Sequence, residues 1–301
     1  MMVKIAVTSD NHLDLNKVAL APTIKQQAAY LKSHDVDYYL IAGDLFNDFQ
    51  KSVDYVNQLA EEVSPIHVFF IAGNHDMIKG VSYDELENGR WPGYLNNQFV
   101  DIAGTDYRIV GINGWYDYTF ATNEDKTEDE FHRWKMAYWI DGLISQPMSD
   151  PDRERIVIEQ LRKQLDSAKL AGKKVIIMTH FVPNQHFIHY TNDFRFWNMA
   201  NAMMGSLKFQ KLIEAYQVDM VIFGHIHQRL QPITIGATTY YNAAVGYHNH
   251  RHNEWQTDHF ISEWENQLKT FEIFLNIALD EIAKILYYYI RWFDSNTLLE
   301  G

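Results

Sequence analysis

The amino-acid sequence predicts an α/β fold in which buried strands alternate with helices. Short apolar runs, rich in β-branched and aromatic residues, end abruptly in polar or glycine-containing turns, as is typical of strands buried on both faces. Helical stretches separate the early runs, and this alternation is characteristic of layered α/β domains. The 301-residue chain is long enough to bury the core of one large domain.

Six apolar runs have the strand pattern, and they cover residues 4–9, 36–42, 66–72, 107–112, 174–179 and 218–223. Helices are predicted at residues 16–34, 52–63, 153–171 and 207–216, the third of which is followed by Gly172 as a stop. The later part of the chain looks more purely β. It predicts a strand at residues 238–245 and a hairpin in which strands 259–264 and 268–274 flank a turn at residues 265–267.

Two segments lie outside this alternation. Residues 114–151 are polar, aromatic and irregular, lie between two predicted strands and are expected to contain a helix at residues 127–140, so they predict a cap-like insertion. Residues 276–293 carry apolar side chains at helical spacing. We therefore expect one domain at residues 1–275 and a C-terminal amphipathic helix within residues 276–301, which packs on the domain or forms a homodimer contact.

Composition restricts the partners of this protein. The formal net charge is -13 and no dense run of Lys and Arg occurs, so long nucleic acids are not expected to bind. A small anionic substrate stays possible, because a bound metal can reverse the local charge. The lack of cysteine excludes disulfides and thiolate metal sites. With neither a signal peptide nor a long apolar segment, we expect a cytoplasmic protein that does not bind membranes.

Asp, His and Asn residues follow five of the predicted strands, at the point where each strand ends. They are Asp10, His12, Asp44, Asn74, His180, His225 and His227. Because sites in open α/β sheets form at the carboxyl ends of the strands, these side chains should converge. They offer nitrogen and oxygen donors without sulfur, a set that suits Mn, Fe, Zn or Co and is richer in histidine than a Mg or Ca site.

Seven ligands are too many for a single tetrahedral ion. They suit two divalent ions about 3.5–4 Å apart that share a bridging carboxylate. Since only two of the donors are carboxylates, the loaded site would keep a net charge of about +2, or about +1 with a bridging hydroxide. A residual positive charge of this size fits binding of a phosphate and stabilisation of a more negative transition state.

The ordered motifs Asp-x-His, Gly-Asp, Gly-Asn-His-Asp, His and Gly-His-x-His resemble those of the calcineurin-like metallophosphoesterases over roughly residues 3–246. The resemblance implies a four-layer αββα sandwich, with two mixed β-sheets packed together and helices on the outside. The implied ligands are Asp10, His12, Asp44 and His227 for one metal ion and Asp44, Asn74, His180 and His225 for the other. The shared Asp44 would bridge the two ions.

The same resemblance implies that His75 acts near the leaving group and that Asp76 orients its ring. Protein serine/threonine phosphatases of this superfamily have Arg just after the second motif and Glu after Gly-Asn-His. This chain has Asn47, Asp48 and Asp76 there, so it is more similar to the bacterial phosphodiesterase and nuclease branch. Residues 113–118 also resemble uncharacterised phosphoesterases of Gram-positive bacteria.

The expected activity is hydrolysis of a phosphodiester by a metal-bridging hydroxide. A phosphomonoesterase, a nuclease of the same fold and a non-catalytic scaffold are the alternatives. For substrate binding we favour Arg195 and Arg229, because a guanidinium matches phosphate oxygens. Aromatic residues of the insertion either line a base-stacking pocket or pack the cap. The cluster of His248, His250, His252 and His259 is interpreted as an exposed loop rather than a third metal site.

Overall fold

The computed structural model describes residues 2–250 and 252–276. The predicted C-terminal helix lies outside the described residues from residue 277 onward, and so does a dimer contact through it. The strands are β1 (Met2–Thr8), β2 (Tyr38–Ala42), β3 (His67–Ile71), β4 (Gln98–Asp101), β5 (Tyr107–Gly111), β6 (Lys174–Met178), β7 (Met220–Phe223), β8 (Ile233–Ile235), β9 (Thr238–Asn242) and β10 (Lys269–Phe274). The helices are α1 (Leu20–Ser33), α2 (Phe49–Val63), α3 (Tyr83–Asn88), α4 (Glu128–Tyr138), α5 (Asp150–Leu170), α6 (Arg195–Ala200), α7 (Leu207–Tyr216) and α8 (Phe260–Gln267).

The strands form two mixed sheets, which confirms the predicted fold. The first sheet has the order β10-β1-β2-β3, in which β10 is antiparallel to β1 and the other neighbours are parallel. The second has the order β4-β5-β6-β7-β9-β8, with antiparallel pairs at both edges and parallel pairs between them. Within the described residues, no helix is both long and apolar enough to cross a bilayer.

Strand residues alternate between two apolar cores. In β1, Val3, Ile5 and Val7 belong to the core between the sheets, together with Ile176 and Met178 of the second sheet. Their neighbours in the first sheet, such as Ala6 and Ile41, pack into the core beneath the helices. Because both strand faces are buried, the strands show continuous apolar runs instead of an alternating pattern.

The predicted hairpin at residues 259–274 is wrong in its first strand. That segment is α8, and β10 then pairs with the edge strand β1 instead of with a hairpin partner. The buried residues of α8 are Phe260, Glu263, Trp264 and Gln267, whose spacing is that of one helix face. Trp264 donates its indole N–H to the Tyr39 hydroxyl at 2.9 Å, which fixes the helix against the first sheet.

The other predicted elements are present with shifted ends. Helix α1 begins only at Leu20, so that Pro22 lies in its first turn, where the missing N–H of proline costs no helical hydrogen bond. Helix α2 begins at Phe49 because Asp48 caps it by accepting from the N–H of Lys51. The strands missed by the sequence, β4 and β8, are short edge strands without a buried run.

Helix α5 contains a buried carboxyl group that predicts a pH-dependent stability. Glu154 is 0% exposed, so its carboxyl group is shielded from solvent. Burial, followed by the charge of Asp117, raises the pKa of Glu154 well above its usual value. Above about pH 4.5, the ordinary pKa of a glutamate carboxyl group, the folded protein therefore keeps a proton that the unfolded chain releases. The free energy of unfolding falls as the pH rises above that value.

We expect Glu154→Gln to raise the free energy of unfolding by at least about 1 kcal/mol near pH 8, because the amide needs no proton to stay neutral. The gain should shrink as the pH falls toward about 4.5, the ordinary pKa of a glutamate carboxyl group. Urea denaturation at both pH values measures this, with Glu159→Gln on the exposed face of α5 as the control. A gain of equal size at both pH values would contradict the raised pKa of Glu154.

Candidate metal centre and active site

Five strand ends from both sheets meet at one edge of the sandwich. The segments after β1, β2 and β3 of the first sheet and after β6 and β7 of the second carry all seven predicted ligands. Five of them are 2% exposed or less, namely Asp10, His12, Asp44, Asn74 and His180. His225 and His227 are partly buried. The structure therefore brings together the residues that the strand-end rule selected.

The turns that carry these residues have an unusual backbone. Asp10, His12, Asp44 and His225 have positive φ angles of 52°, 42°, 58° and 68°. Such conformations are uncommon in residues other than glycine, and they cluster at functional sites. The turns also pack closely on one another, because a Cβ on Gly43, whose φ is 88°, would lie 2.5 Å from the backbone nitrogen of Gly73. This close packing holds the donor groups in place.

The donors of the first implied ion face one another. The Nε2 atom of His227 lies 3.3 Å from Asp10 Oδ1 and 3.2 Å from His12 Nε2. His12 Nε2 is also 3.8 Å from Asp44 Oδ2. Asp10, His12 and His227 each offer one ligand atom, and these atoms lie within 4.8 Å of one another.

The donors of the second implied ion form an adjacent group. Asn74 Oδ1 lies 3.0 Å from His180 Nε2 and 3.0 Å from His225 Nδ1. His180 Nε2 lies 3.4 Å from Asp44 Oδ2, the same carboxylate oxygen that approaches His12. Asp44 thus stands between the two groups, which is the position of a bridging carboxylate.

The outer nitrogens of three site histidines have acceptors that fix the tautomer. The pairs are His180 Nδ1 with the Ala42 carbonyl at 2.9 Å, His225 Nε2 with the Met203 carbonyl at 3.2 Å and His227 Nδ1 with Glu254 at 2.7 Å. With its outer N–H donated, a neutral ring directs a lone pair inward, which is the arrangement of metal-binding histidines. The Nε2 atoms of His12 and His227 lie 3.2 Å apart, so a proton or a metal ion can lie between or beside them. The donor set therefore fits divalent ions.

Electrostatics in the cluster follows from burial opposed by opposite charge. Burial alone would raise the pKa of Asp10, but the hydrogen bond to His227 and its charge lower that pKa to about 2. Burial alone would lower the pKa of His180, but Asp44 raises it to about 9. Burial and the charge of His180 lower the pKa of His225 to about 3. Metal ions must displace the protons held on the ligands, so their binding should strengthen as the pH rises.

His75 lies beside this cluster and is 8% exposed. Its Nδ1 atom is 2.7 Å from Asn47 Oδ1, and its Nε2 atom is 3.1 Å from the Tyr247 hydroxyl. Burial lowers the pKa of His75, and the nearby Asp44 opposes this effect. The ring is thus held at both nitrogens, with Asn47 as the partner of Nδ1.

The interpretation of Asp76 as the residue that orients His75 needs correction. The Asp76 carboxylate accepts from the backbone N–H groups of Asp44 at 2.7 Å and Gly73 at 2.9 Å, and from the Ser52 hydroxyl at 2.5 Å. It therefore ties together the turns after β2 and β3. A carboxylate surrounded by backbone donors suits that structural task, and Asn47 takes the orienting position.

A cavity of about 520 Å³ opens over the cluster. Its floor is formed by Asp44, Asn74, His75, His225 and His227, and its wall by Tyr138, Trp139, Phe196 and Trp197. Tyr138 is 66% exposed and Phe196 is 42% exposed, which is unusual for large aromatic side chains. The wall comes from α4 and its following turn on one side and from α6 on the other.

A sequence profile described as calcineurin-like phosphoesterase matches residues 3–229. This chain belongs to the calcineurin-like phosphoesterase family. It is therefore a metal-dependent phosphoester hydrolase, and its family uses a dinuclear centre of divalent metal ions. Among functionally curated proteins, no sequence matches this chain with significance.

Several solved structures are similar to this phosphoesterase. The phosphopantetheinyl hydrolase of Mycobacterium tuberculosis is 15% identical with a TM-score of 0.61, and the match covers 90% of this chain and 96% of that one. The protein TT1561 of Thermus thermophilus is 13% identical with a TM-score of 0.48, over 81% of this chain and 90% of that one. A dimetal phosphatase of Danio rerio is 13% identical with a TM-score of 0.46, over 80% and 87%. At these identities the likeness shows the fold alone.

In this calcineurin-like phosphoesterase, four residues near the cluster were missed by the sequence motifs. Asn47 contacts His75, Glu254 contacts His227, and Asp141 accepts from the Asn74 amide. The ring of Tyr247 lies 4.3 Å from that of His12 and 4.6 Å from that of His227, between ring centroids. The strand-end rule applied to β9 could have suggested Tyr247, since it follows that strand by five residues.

The proposed phosphate contacts have different surroundings. Arg229 contacts the Glu263 carboxylate at 2.5 Å and the Glu254 carbonyl at 2.6 Å. These contacts make it a support for the loop that carries Glu254. Arg195 is exposed at the start of α6, next to Phe196 of the cavity wall, and a contact with substrate remains a proposal for it.

The histidine cluster in the loop after β9 is dispersed in this phosphoesterase. His248 Nδ1 lies 2.7 Å from Asn253 Oδ1, and the ring of His248 stacks on Trp255 with centroids 4.7 Å apart. His259 stands before the first turn of α8. None of the potential metal-binding groups found in residues 2–250 and 252–276 contains a histidine of this cluster.

Proposed function

We propose that this calcineurin-like phosphoesterase hydrolyses a small phosphodiester with two divalent ions. The observation that carries the proposal is the convergence of the seven donors in two groups that share Asp44 Oδ2. The nitrogen and oxygen donors are compatible with manganese, iron or zinc. The residues proposed to hold one ion are Asp10, His12, Asp44 and His227, and those for the other are Asp44, Asn74, His180 and His225.

When bound, the two ions would polarise the phosphate and lower the pKa of water, which supplies the nucleophile near neutral pH. The chain supplies the remaining functions. His75 and Tyr247 stand at the cavity with hydrogen-bonding atoms 3.1 Å apart, so both are placed to contact a phosphate oxygen or the leaving oxygen. Asn47 accepts from His75 Nδ1 and holds the ring in one orientation.

The charges around the cavity favour a diester over a monoester. Among the described residues that line it, none is a lysine or an arginine. A phosphomonoester carries close to two negative charges at neutral pH, whereas a diester carries one. A site without a cationic side chain is therefore better matched to the singly charged ester, because the metal charge alone must balance it.

The aromatic wall favours an ester with an apolar or planar organic group. Tyr138, Trp139, Phe196 and Trp197 face the same cavity as the donor atoms, and large aromatic side chains at exposed positions commonly mark binding surfaces. The similar structure of a phosphopantetheinyl hydrolase makes a phosphopantetheinyl ester one useful member of a substrate panel. We propose residues 114–151 as a cap, because they provide two of the four wall aromatics.

Hydrolysis of chromogenic esters tests this proposal. Metal-stripped protein should be inactive and should hydrolyse bis-p-nitrophenyl phosphate after addition of Mn²⁺, with a higher kcat/KM than for p-nitrophenyl phosphate. Zinc, iron and magnesium are compared in parallel, and chelator should abolish the activity. A preference for the monoester would identify a phosphomonoesterase. Lack of turnover with every metal and both esters would favour a binding scaffold.

A further inference from the structure

The side-chain amide of Asn74 can serve a metal ion only through its oxygen, because an amide nitrogen is a donor without an available lone pair. In the structure Oδ1 lies 3.0 Å from His180 Nε2 and 3.0 Å from His225 Nδ1, so the oxygen faces the cluster. A flipped amide would present its NH₂ group to the same space. The ligand function of Asn74 therefore depends on what holds its amide nitrogen.

Asp141 holds that nitrogen. Its Oδ1 atom accepts from Asn74 Nδ2 at 2.7 Å across a separation of 67 residues. Asp141 is 0% exposed, so bulk water does not compete for this hydrogen bond. A flipped Asn74 would bring two oxygen acceptors to hydrogen-bonding distance in a buried position and leave the NH₂ group without Asp141 as a partner. Both effects disfavour the flip.

The segment that carries Asp141 is itself anchored. Asp150, 1% exposed at the first residue of α5, accepts from Trp115 Nε1 at 3.0 Å, Lys135 Nζ at 2.7 Å and Gln146 Nε2 at 2.8 Å. These bonds link the two ends of the insertion to α4 in its middle. Asp141 thus approaches Asn74 from a fixed direction, and its neighbours Trp139 and Ile140 line the cavity.

We propose that Asp141 is a positioning residue that keeps the Asn74 amide oxygen turned toward the second metal ion. The insertion would then have two tasks, since one short turn supplies part of the aromatic wall and also fixes a ligand at the end of β3. The inference rests on the dinuclear centre of the proposed function. It extends that centre beyond the strand-end motifs to a residue outside them.

Binding of Mn²⁺ to metal-stripped protein tests the role of Asp141 without any substrate. Isothermal titration calorimetry of wild type should show two ions per chain. Asp141→Ala should weaken one of the two by about 10–100-fold and leave the other unchanged, as is usual when a partner of a metal ligand is lost. Asp141→Asn keeps an acceptor oxygen and should restore binding to within a few-fold of wild type. Electron paramagnetic resonance should show the spin-coupled Mn pair replaced by single Mn²⁺ ions in the alanine variant only.

Two further variants separate orientation from general stability. Asn74→Ala should weaken the same ion as Asp141→Ala, and the double variant should lose little more than either one, because both act through one amide. Thr127→Ala removes the N-cap of α4 in the same insertion and leaves Asp141, Asp150 and Asn74 in place, so it should lower Tm and keep both ions.

The possible results distinguish the claims. Two tightly bound ions in Asp141→Ala, equal weakening of both ions, or an asparagine variant as poor as the alanine variant would each overturn the positioning role. Fewer than two ions in the wild type would instead overturn the dinuclear centre itself, and the inference with it.

Discussion

Asp44→Asn should lower the binding of both metal ions by more than about 100-fold and abolish hydrolysis. Asp44 Oδ2 lies 3.8 Å from His12 Nε2 and 3.4 Å from His180 Nε2, so one carboxylate oxygen serves both groups of donors. The substitution also removes one of the two negative charges of the ligand set. An asparagine is nearly isosteric and tolerates the positive φ of 58° at this position, so the fold should persist.

Elemental analysis after reconstitution and dialysis measures this effect. Asp37→Asn provides a matched control, because Asp37 is exposed and precedes β2, at the opposite edge of the sheet. That variant should keep both ions. An Asp44→Asn protein that retains one tightly bound ion would show that this carboxylate belongs to a single site and would contradict the bridging assignment.

The positions of these donors could be predicted because parallel strands impose them. The carboxyl ends of β1, β2, β3, β6 and β7 all lie at the same edge. Residues directly after these strands therefore meet there, whatever the sequence of the connections between the strands. Buried strands are also the segments whose apolar runs are easiest to detect. This explains why the α/β fold and the convergence of seven residues could be inferred without knowledge of the loops.

Residues that approach the centre from loops could not be found by this rule. Asp141 comes from an irregular insertion and Glu254 from the long loop between β9 and α8, and nothing in their local sequence fixes where they lie. Their contacts depend on tertiary packing across 67 residues for Asp141 and 27 residues for Glu254. The outer partners of the ligands are therefore less predictable than the ligands themselves.

Neighbouring residues in a motif also proved a weak guide to contacts. Asp76 follows His75 directly, yet the turn directs its carboxylate toward backbone donors, and Asn47 from the preceding strand end reaches the ring. The prediction of a strand at residues 259–264 was wrong because residue type was a weak guide there as well. The aromatic residues of this segment favour a strand by type. In the structure Phe260, Trp264 and Gln267 are buried at helical spacing, and their burial stabilises α8.

His75→Ala should retain both metal ions and lower kcat on alkyl phosphodiesters by about 10²–10⁴. The departing alkoxide is a poor leaving group and needs a proton or a strong hydrogen bond, and His75 stands at the cavity next to Asn74. Burial lowers the pKa of His75, but the negative charge of a bound phosphate acts in the opposite direction and favours a protonated ring. The loss should shrink for a nitrophenyl leaving group, which departs without protonation.

The comparison of alkyl and nitrophenyl esters gives this prediction its specificity. His34→Ala is the matched control, because His34 is exposed after α1, away from the cluster, and it should leave both rates unchanged. Metal content must be measured in parallel, since His75 can also be grouped with His12 and Asp44 as a potential ligand set. A loss of one ion in His75→Ala would make His75 a ligand. An equal loss of rate on good and poor leaving groups would assign the ring to binding the phosphate, together with Tyr247, whose hydroxyl lies 3.1 Å from its Nε2 atom.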